Sequence, residues 1–326
     1  MIEASTIAHW TPVRFTMMSP EPVIDWCDLS DVAFTEPFFD QTLARALGDA
    51  GNRKLLRTSL ADLMAVETVM PGRDPDGFIF HLSRCGSTLV SRLAAMLPDV
   101  AVVSEAGPVN AFLQLDPTQM DIPTQRENVR LLLRSFGRSR PRAKKFIVKM
   151  SSWNIRNIAM LRRAFPHTPW CFVFRNPVEV VASILIDRPS WFKLHQMPAI
   201  AARILGVPAA SIAVMNEIEF ATAAIGEFMK AAIAADNGEA LFVDYKTLPD
   251  AIWERALPFF GRNCSDEEIA TMMEGASRHA KRPEHSFTSD SQAKRRSLPE
   301  NVAQSIEGQL GPLFATLESR CAEQNG

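Results

Sequence analysis

The run Phe78-Ile79-Phe80-His81-Leu82, with Ser83-Arg84-Cys85-Gly86-Ser87-Thr88 after it, constrains the fold more tightly than any other stretch of this chain. A short apolar run that ends in a glycine-containing turn reads as a buried strand. The apolar spacing at Leu89, Leu93, Ala94 and Leu97 reads as the helix that follows. The first N–H groups of a helix have no intrahelical acceptor, so a turn of this kind cradles an anion such as phosphate. It is not the loop of nucleotide triphosphatases. Gly-x-x-x-x-Gly-Lys-Ser/Thr requires Gly at 81 and Lys at 87, where this chain has His81 and Ser87. Its basic residue is Arg84, inside the turn. That displacement predicts a phosphate ligand without the usual triphosphate and magnesium arrangement.

Four further runs resemble the first: Val100–Val103, Phe146–Val148, Trp170–Phe174 and Ala240–Val243. They are continuously apolar, as strands buried on both faces of a parallel sheet are. Helical patterns lie between them, at Glu127–Phe136 and Ile155–Phe165, and the alternation predicts an α/β fold with right-handed crossovers. The turn cluster Pro71 to Gly77 marks the entry to this part. Residues 1–76 are expected to form an N-terminal extension packed on the core. Its helical signals are Leu43–Leu47 and Ser59–Met64. Residues 77–326 are expected to form the main domain, helical in its C-terminal part. The basic, Ser-rich stretch Ser286 to Ser297 reads as a surface loop.

At 326 residues with 47% hydrophobic and 22% charged residues, the chain has an ordinary globular balance and needs no disulfide support. A formal net charge of -2 gives no global pull toward nucleic acid, so any anion site is local. The five cysteines are widely spaced and show no metal-ligand pattern, which suits reduced thiols in a cytoplasm. The N-terminus lacks the layout of a signal peptide. The longest apolar helix candidate, around Ser211 to Ala235, is interrupted by Glu217, Glu219, Glu227 and Lys230 and is too polar to span a bilayer.

Ligands of open α/β sheets bind at the carboxyl ends of the strands. The first expected strand ends in the loop of Arg84, the second at Ser104-Glu105, the third at Lys149, the fourth at Arg175 and the fifth at Asp244-Tyr245. The first four thus place a charge at or just beyond the strand end, and only Glu105 among those four is acidic. Arg175-Asn176-Pro177 leads into a helix with Ser183 on its second turn, Pro177 suiting the first helical position. Arg175 and Ser183 together suit a second phosphate. Two separate phosphate sites on one sheet suit a nucleotide phosphorylated at two ribose positions.

These residues resemble, as an ordered set, a P-loop sulfotransferase using 3'-phosphoadenosine 5'-phosphosulfate. Ser83-Arg84-Cys85-Gly86-Ser87-Thr88 resembles the family's 5'-phosphosulfate loop. Arg175-Asn176-Pro177 with Ser183 resembles its 3'-phosphate motif. The order Glu105, Lys149, Phe165-Pro166, Arg175 is similar to that of the tyrosylprotein sulfotransferase branch. Leu241 to Leu248 resembles the strand ending in Tyr-Glu-x-Leu, with Lys246 in place of the Glu. The similarity runs from roughly Gly77 to Leu248. The C-terminal Gly-x-x-Gly-x-x-Lys element of the cytosolic enzymes is missing, and Lys294 is the candidate substitute.

The resemblance implies a P-loop-type parallel sheet and a set of roles. The backbone of Cys85, Gly86, Ser87 and Thr88, with the two hydroxyls, binds the 5'-phosphate. Arg84 and Lys149 stabilise charge on the transferring group, and Glu105 takes the acceptor proton. Arg175, Ser183 and Lys294 hold the 3'-phosphate, and no metal is required. The acceptor, a small molecule or a peptide, is not identified, and a homodimer is compatible with the chain. Structural readings stay open beside these. Glu105 also suits a helix cap or an ion pair, and the ring of Tyr245, the chain's lone tyrosine, suits packing under the sheet as well as a cofactor contact. The rival functions are a P-loop small-molecule kinase using ATP and magnesium, and a nucleotide-binding protein without catalysis.

Overall fold

The computed structural model describes residues 3–18, 21–49, 53–116, 118–280, 295 and 297–324. The chain opens with α1 (Ala4–Ile7), β1 (Thr11–Thr16), β2 (Val23–Cys27), α2 (Phe39–Asp49), β3 (Leu55–Ser59) and α3 (Asp62–Val69). An alternating stretch follows: β4 (Gly77–His81), α4 (Ser87–Ala94), β5 (Val100–Ser104), α5 (Gly107–Leu113), α6 (Ile122–Arg138), β6 (Lys145–Lys149), α7 (Ile158–Ala164), β7 (Trp170–Phe174) and α8 (Pro177–Ile186). The chain continues through α9 (Pro198–Leu205), α10 (Ala209–Ile212), α11 (Glu217–Ala235), β8 (Leu241–Asp244), α12 (Leu257–Phe259), α13 (Asp266–Ala280) and α14 (Glu300–Glu323).

The five expected strands form one parallel sheet in the order β5-β6-β4-β7-β8. Every residue of β4, β7 and β8 is buried, which is why these segments read as unbroken apolar runs rather than alternating ones. The strands lie within a residue or two of the expected limits. The helical pattern at Ile155–Phe165 resolves into a 3-10 turn, Ser152–Asn157, and then α7. The Ser211–Ala235 pattern is divided at Asn216, whose side chain caps α11 in a capping box with Glu219.

The N-terminal extension differs from its helical expectation. Alongside α1, α2 and α3 it carries a three-stranded antiparallel sheet, β1-β2-β3. Two features hid these strands. Pro12 lies inside β1, and β3 is an edge strand with Leu55 and Arg57 exposed, so it lacks an apolar face to read. The segment Ser59–Met64 is not one helix. Ser59 closes β3, and the carboxylate of Asp62, the first residue of α3, accepts from Ser59 N at 2.9 Å and Ser59 Oγ at 3.0 Å. Such local side-chain bonds compete with helix at this position.

The chain divides into two compact units, Met1–Phe78 with Ala94–Met150 and Asn157–Pro169, and Ile79–Leu93 with Ser151–Arg156 and Trp170–Gly326. In the first unit β1 packs on α5 and α6, with Phe15 against Phe112 at 5.1 Å and Phe39 against Phe136 at 5.3 Å between ring centroids. Arg138 of α6 is buried and donates to the carbonyls of Ala8 (2.6 Å) and Met70 (2.9 Å). Its cation thus satisfies loop carbonyls that no helix or sheet serves. In the second unit α8, α11 and α14 pack on one another, and α14 also lies on β8. Among the described residues no helix is long and apolar enough to cross a membrane.

Candidate active site

In the second unit β4 ends at His81, and the chain turns sharply through three residues of positive φ, Ser83 (76°), Arg84 (48°) and Gly86 (84°), before α4 starts at Ser87. Only glycine adopts such φ values without strain, so Ser83 and Arg84 are held there by their surroundings. Leu82 N donates to Val173 O at 3.0 Å, Cys85 Sγ to the same carbonyl at 3.1 Å, and Ser83 N to His81 Nδ1 at 3.1 Å. Cys85 is wholly buried, which makes it a packing residue under the turn. Ser87 is buried and Thr88 half-buried at the start of α4.

Arg84 alone of the turn is exposed, and its side chain leaves the loop. Nε donates to Ser183 Oγ at 3.2 Å, and Nη2 pairs with Asp187 Oδ2 at 2.8 Å. The two phosphate motifs read from the sequence, 99 residues apart, therefore touch through these side chains. Helix α8 presents Ser183 because Asn176 accepts from Val178 N at 3.0 Å and Pro177 occupies the first helical position. Arg175 is 3% exposed, gives Nε to Glu179 Oε2 at 2.6 Å and lies 3.9 Å from the Tyr245 ring centroid. Ser183 is thus seen with Arg84, while Arg175 is seen with Glu179 and Tyr245. Tyr245 also closes on the loop, since a Cβ built on Gly86 would meet Tyr245 Cδ2 at 2.9 Å. Lys294 lies outside the described residues.

In the first unit β5 and β6 pair with Ser104 opposite Lys149. Glu105 follows with φ 52°, and its N–H donates to Lys149 O at 2.8 Å. The Lys149 ammonium is paired with the Glu105 carboxylate. The Lys149 side chain is wholly buried and that of Glu105 is 18% exposed, so solvent reaches this pair on the carboxylate side. A buried ammonium without a partner is costly, and Glu105 supplies one. Of the open readings for Glu105, the ion pair is present and the helix cap is not: Ala106 stands at the N-cap of α5 with no side-chain bond.

Sequence reasoning missed the acids that face the cations. Glu179 stands four residues after Arg175, but Arg175 lies before α8, so no helix-face spacing announced the pair. Asp187 and, in the first unit, Asp40 and Phe38 come from elements with no motif of their own. Asp40 Oδ1 accepts from Gly107 N at 3.2 Å, and the Phe38 ring centroid is 5.3 Å from Lys149 Nζ.

No protein-family model matches this chain, and no curated protein matches it. Among solved structures it is similar to the sulfotransferase STF9 of Mycobacterium avium, at 12% identity and a TM-score of 0.45, over 77% of this chain and 81% of that one. It is similar to the sulfotransferase domain of the curacin biosynthetic pathway at 13% identity and 0.45, over 74% and 99%. A third similarity is to the sulfotransferase domain of the Synechococcus PCC 7002 olefin synthase, at 14% and 0.38, over 60% and 76%.

Proposed function

We propose that this protein is a sulfotransferase that moves a sulfuryl group from 3'-phosphoadenosine 5'-phosphosulfate to a hydroxyl or amine acceptor by in-line displacement. The observation that carries the reading is the contact of Arg84 with Ser183. It joins the basic residue of a phosphate-type turn to the helix that follows Arg175, so the second unit holds two anion motifs side by side. Cys85 to Thr88 then bind the 5'-phosphate through N–H groups and the Ser87 and Thr88 hydroxyls. Arg175 and Ser183 hold the 3'-phosphate, the guanidinium being suited to bidentate recognition. Tyr245 stacks beneath Arg175 and keeps it in place. Lys294 is a further candidate ligand of that phosphate.

The acceptor atom bonds to sulfur as the bond from sulfur to the bridging phosphate oxygen breaks. The electron pair stays on that oxygen, and the acceptor's proton passes to a Glu105 oxygen. The resemblance of the motif order Glu105, Lys149, Phe165-Pro166, Arg175 to that of the tyrosylprotein branch is the ground for proposing Glu105 as that base. The ion pair supports a coupled step: once protonated, Glu105 loosens its hold on Lys149, and the ammonium is available to the charge that builds on the transferring group. Arg84 serves the same charge. Such transfer depends on alignment and preorganised charge more than on covalent help from the protein.

Calorimetry with adenosine 3',5'-bisphosphate against ATP and magnesium tests the donor. Tight binding of the bisphosphate alone supports the reading, and preference for ATP overturns it in favour of a kinase. Release of the bisphosphate from the donor, followed across a panel of phenols, alcohols and amines, tests the base. General-base help is worth about 10²–10⁴-fold, so Glu105→Gln lowers turnover at least about 100-fold. Bisphosphate affinity stays within about twofold, because the binding residues are untouched. Near-wild-type turnover in that variant removes Glu105 from the mechanism.

A further inference from the structure

The role of the N-terminal extension is visible at the start of α2. Phe38, just before α2, lies against the Lys149 ammonium, and Asp40, on α2, bonds to Gly107 beyond Glu105. The Phe38 ring lies against the buried Lys149 ammonium at 5.3 Å, a separation at which a ring face attracts a cation. The Asp40 carboxylate accepts the Gly107 N–H at 3.2 Å, two residues after Glu105. The approach is so close that a Cβ on Gly107 would stand 2.9 Å from Asp40 Oδ1 and 3.0 Å from Oδ2. Between these contacts sits Glu105, a non-glycine residue at φ 52°. That backbone state is costly for a residue with a side chain and persists only where neighbours impose it. Three hydrogen bonds impose it here: Glu105 N to Lys149 O, Asn110 Nδ2 to Glu105 O at 3.1 Å, and Gly107 N to Asp40. Only the last comes from the extension.

We infer that Asp40 is a positioning residue for Glu105, and that the 38–40 segment of the extension completes the reacting centre by holding the Glu105–Gly107 turn while Phe38 covers Lys149. The inference rests on the proposed function for the word reacting, but the clamp itself does not. Asp40 is open to solvent as a residue, yet its carboxyl end is dehydrated against the turn. That dehydration, with the Glu105 charge nearby, holds the carboxyl above its ordinary range. The hydrogen bond to Gly107 N is the feature that positions the turn. An amide oxygen in the same place still accepts the Gly107 N–H, more weakly than the carboxylate does.

Asp40→Ala, Asp40→Asn and Gly107→Ala in the full chain test this with two readouts. Amide hydrogen exchange over residues 105–110 reads the clamp without any assay of reaction. It speeds up about 5- to 10-fold in Asp40→Ala, the size of one lost hydrogen bond, and returns most of the way to the wild-type rate in Asp40→Asn. Turnover follows the same pattern, about 5- to 10-fold down in Asp40→Ala and largely restored in Asp40→Asn, with bisphosphate affinity unchanged. If Asp40→Ala does not fold, Gly107→Ala gives the same readings, since its methyl group meets the Asp40 carboxyl at 2.9 Å and pushes it off the N–H. Unchanged exchange and turnover in Asp40→Ala overturn the inference. So does an Asp40→Asn as impaired as Asp40→Ala, or faster exchange with intact turnover. A wild-type chain with no sulfuryl transfer overturns the proposed function instead, and the exchange result then describes a structural clamp alone.

Discussion

Gly86 shows how much of the site a single residue type decides. Its φ of 84° lies where a side chain is strained, and an added Cβ would meet Leu248 Cδ1 at 2.8 Å and Tyr245 Cδ2 at 2.9 Å. Both neighbours are buried and cannot withdraw. Gly86→Ala is therefore expected to cost about 1–3 kcal/mol of stability and to weaken bisphosphate binding, because the turn must open to admit the methyl group. Denaturant unfolding with and without the bisphosphate measures both, and an unchanged midpoint contradicts this account of the loop. The glycine was legible in the sequence. The positive φ of Ser83, Arg84 and Glu105 was not, since nothing in those residue types announces it and only their contacts hold it.

At the scale of the element, Asp40 on α2 and Phe38 just before it are placed only if the start of α2 is fixed. Glu36 fixes it by accepting from Thr42 Oγ1 at 2.6 Å and pairing with Arg45, both on α2. The Arg45 guanidinium is the main cause that holds the Glu36 carboxyl down to about 2, with the Thr42 hydroxyl adding to it. A depressed folded-state value means stability that is present above the ordinary carboxyl range and is lost as pH falls from about 4.5 through about 2. With the Glu36 side chain 20% exposed and that of Arg45 40%, water screens the pair and the effect is worth about 1 kcal/mol. Urea midpoints at pH 6 and pH 3 check it. Glu36→Gln is expected to be less stable than wild type at pH 6 and to lose most of that difference at pH 3, and an equal gap at both values removes Glu36 from acid unfolding. The parallel-sheet strands were readable because each is a continuous apolar run ended by a charge. The strands β1 and β3 were not, because Pro12 and the exposed Leu55 and Arg57 mask the alternation that a half-buried strand shows.

Across the whole molecule the formal charge is -2, and the sequence showed cations collected at strand ends in a chain of nearly balanced charge. It did not show that each candidate cation among the described residues has its own acid: Arg84 with Asp187, Arg175 with Glu179 and Lys149 with Glu105. Those acids lie on a helix end, a helix face and a strand end, and only the fold pairs them. On the proposed function, a nucleotide with two anionic ends competes with these carboxylates, so local neutrality sets its affinity as much as the cations do. The pair at Arg84 separates the two contributions best, because Asp187 is 66% exposed and Arg84 36%. An ion pair that open to water contributes about 0–1 kcal/mol to the fold. Asp187→Asn is expected to leave thermal stability nearly unchanged and to tighten adenosine 3',5'-bisphosphate binding about 2- to 5-fold, since the competing charge is gone and Arg84 remains. The gain shrinks as salt is raised, because exposed charges are screened beyond about 10 Å at 0.1 M. Weaker binding in Asp187→Asn, measured by calorimetry at two salt concentrations, would mean that Asp187 orients Arg84 toward the ligand rather than competing with it.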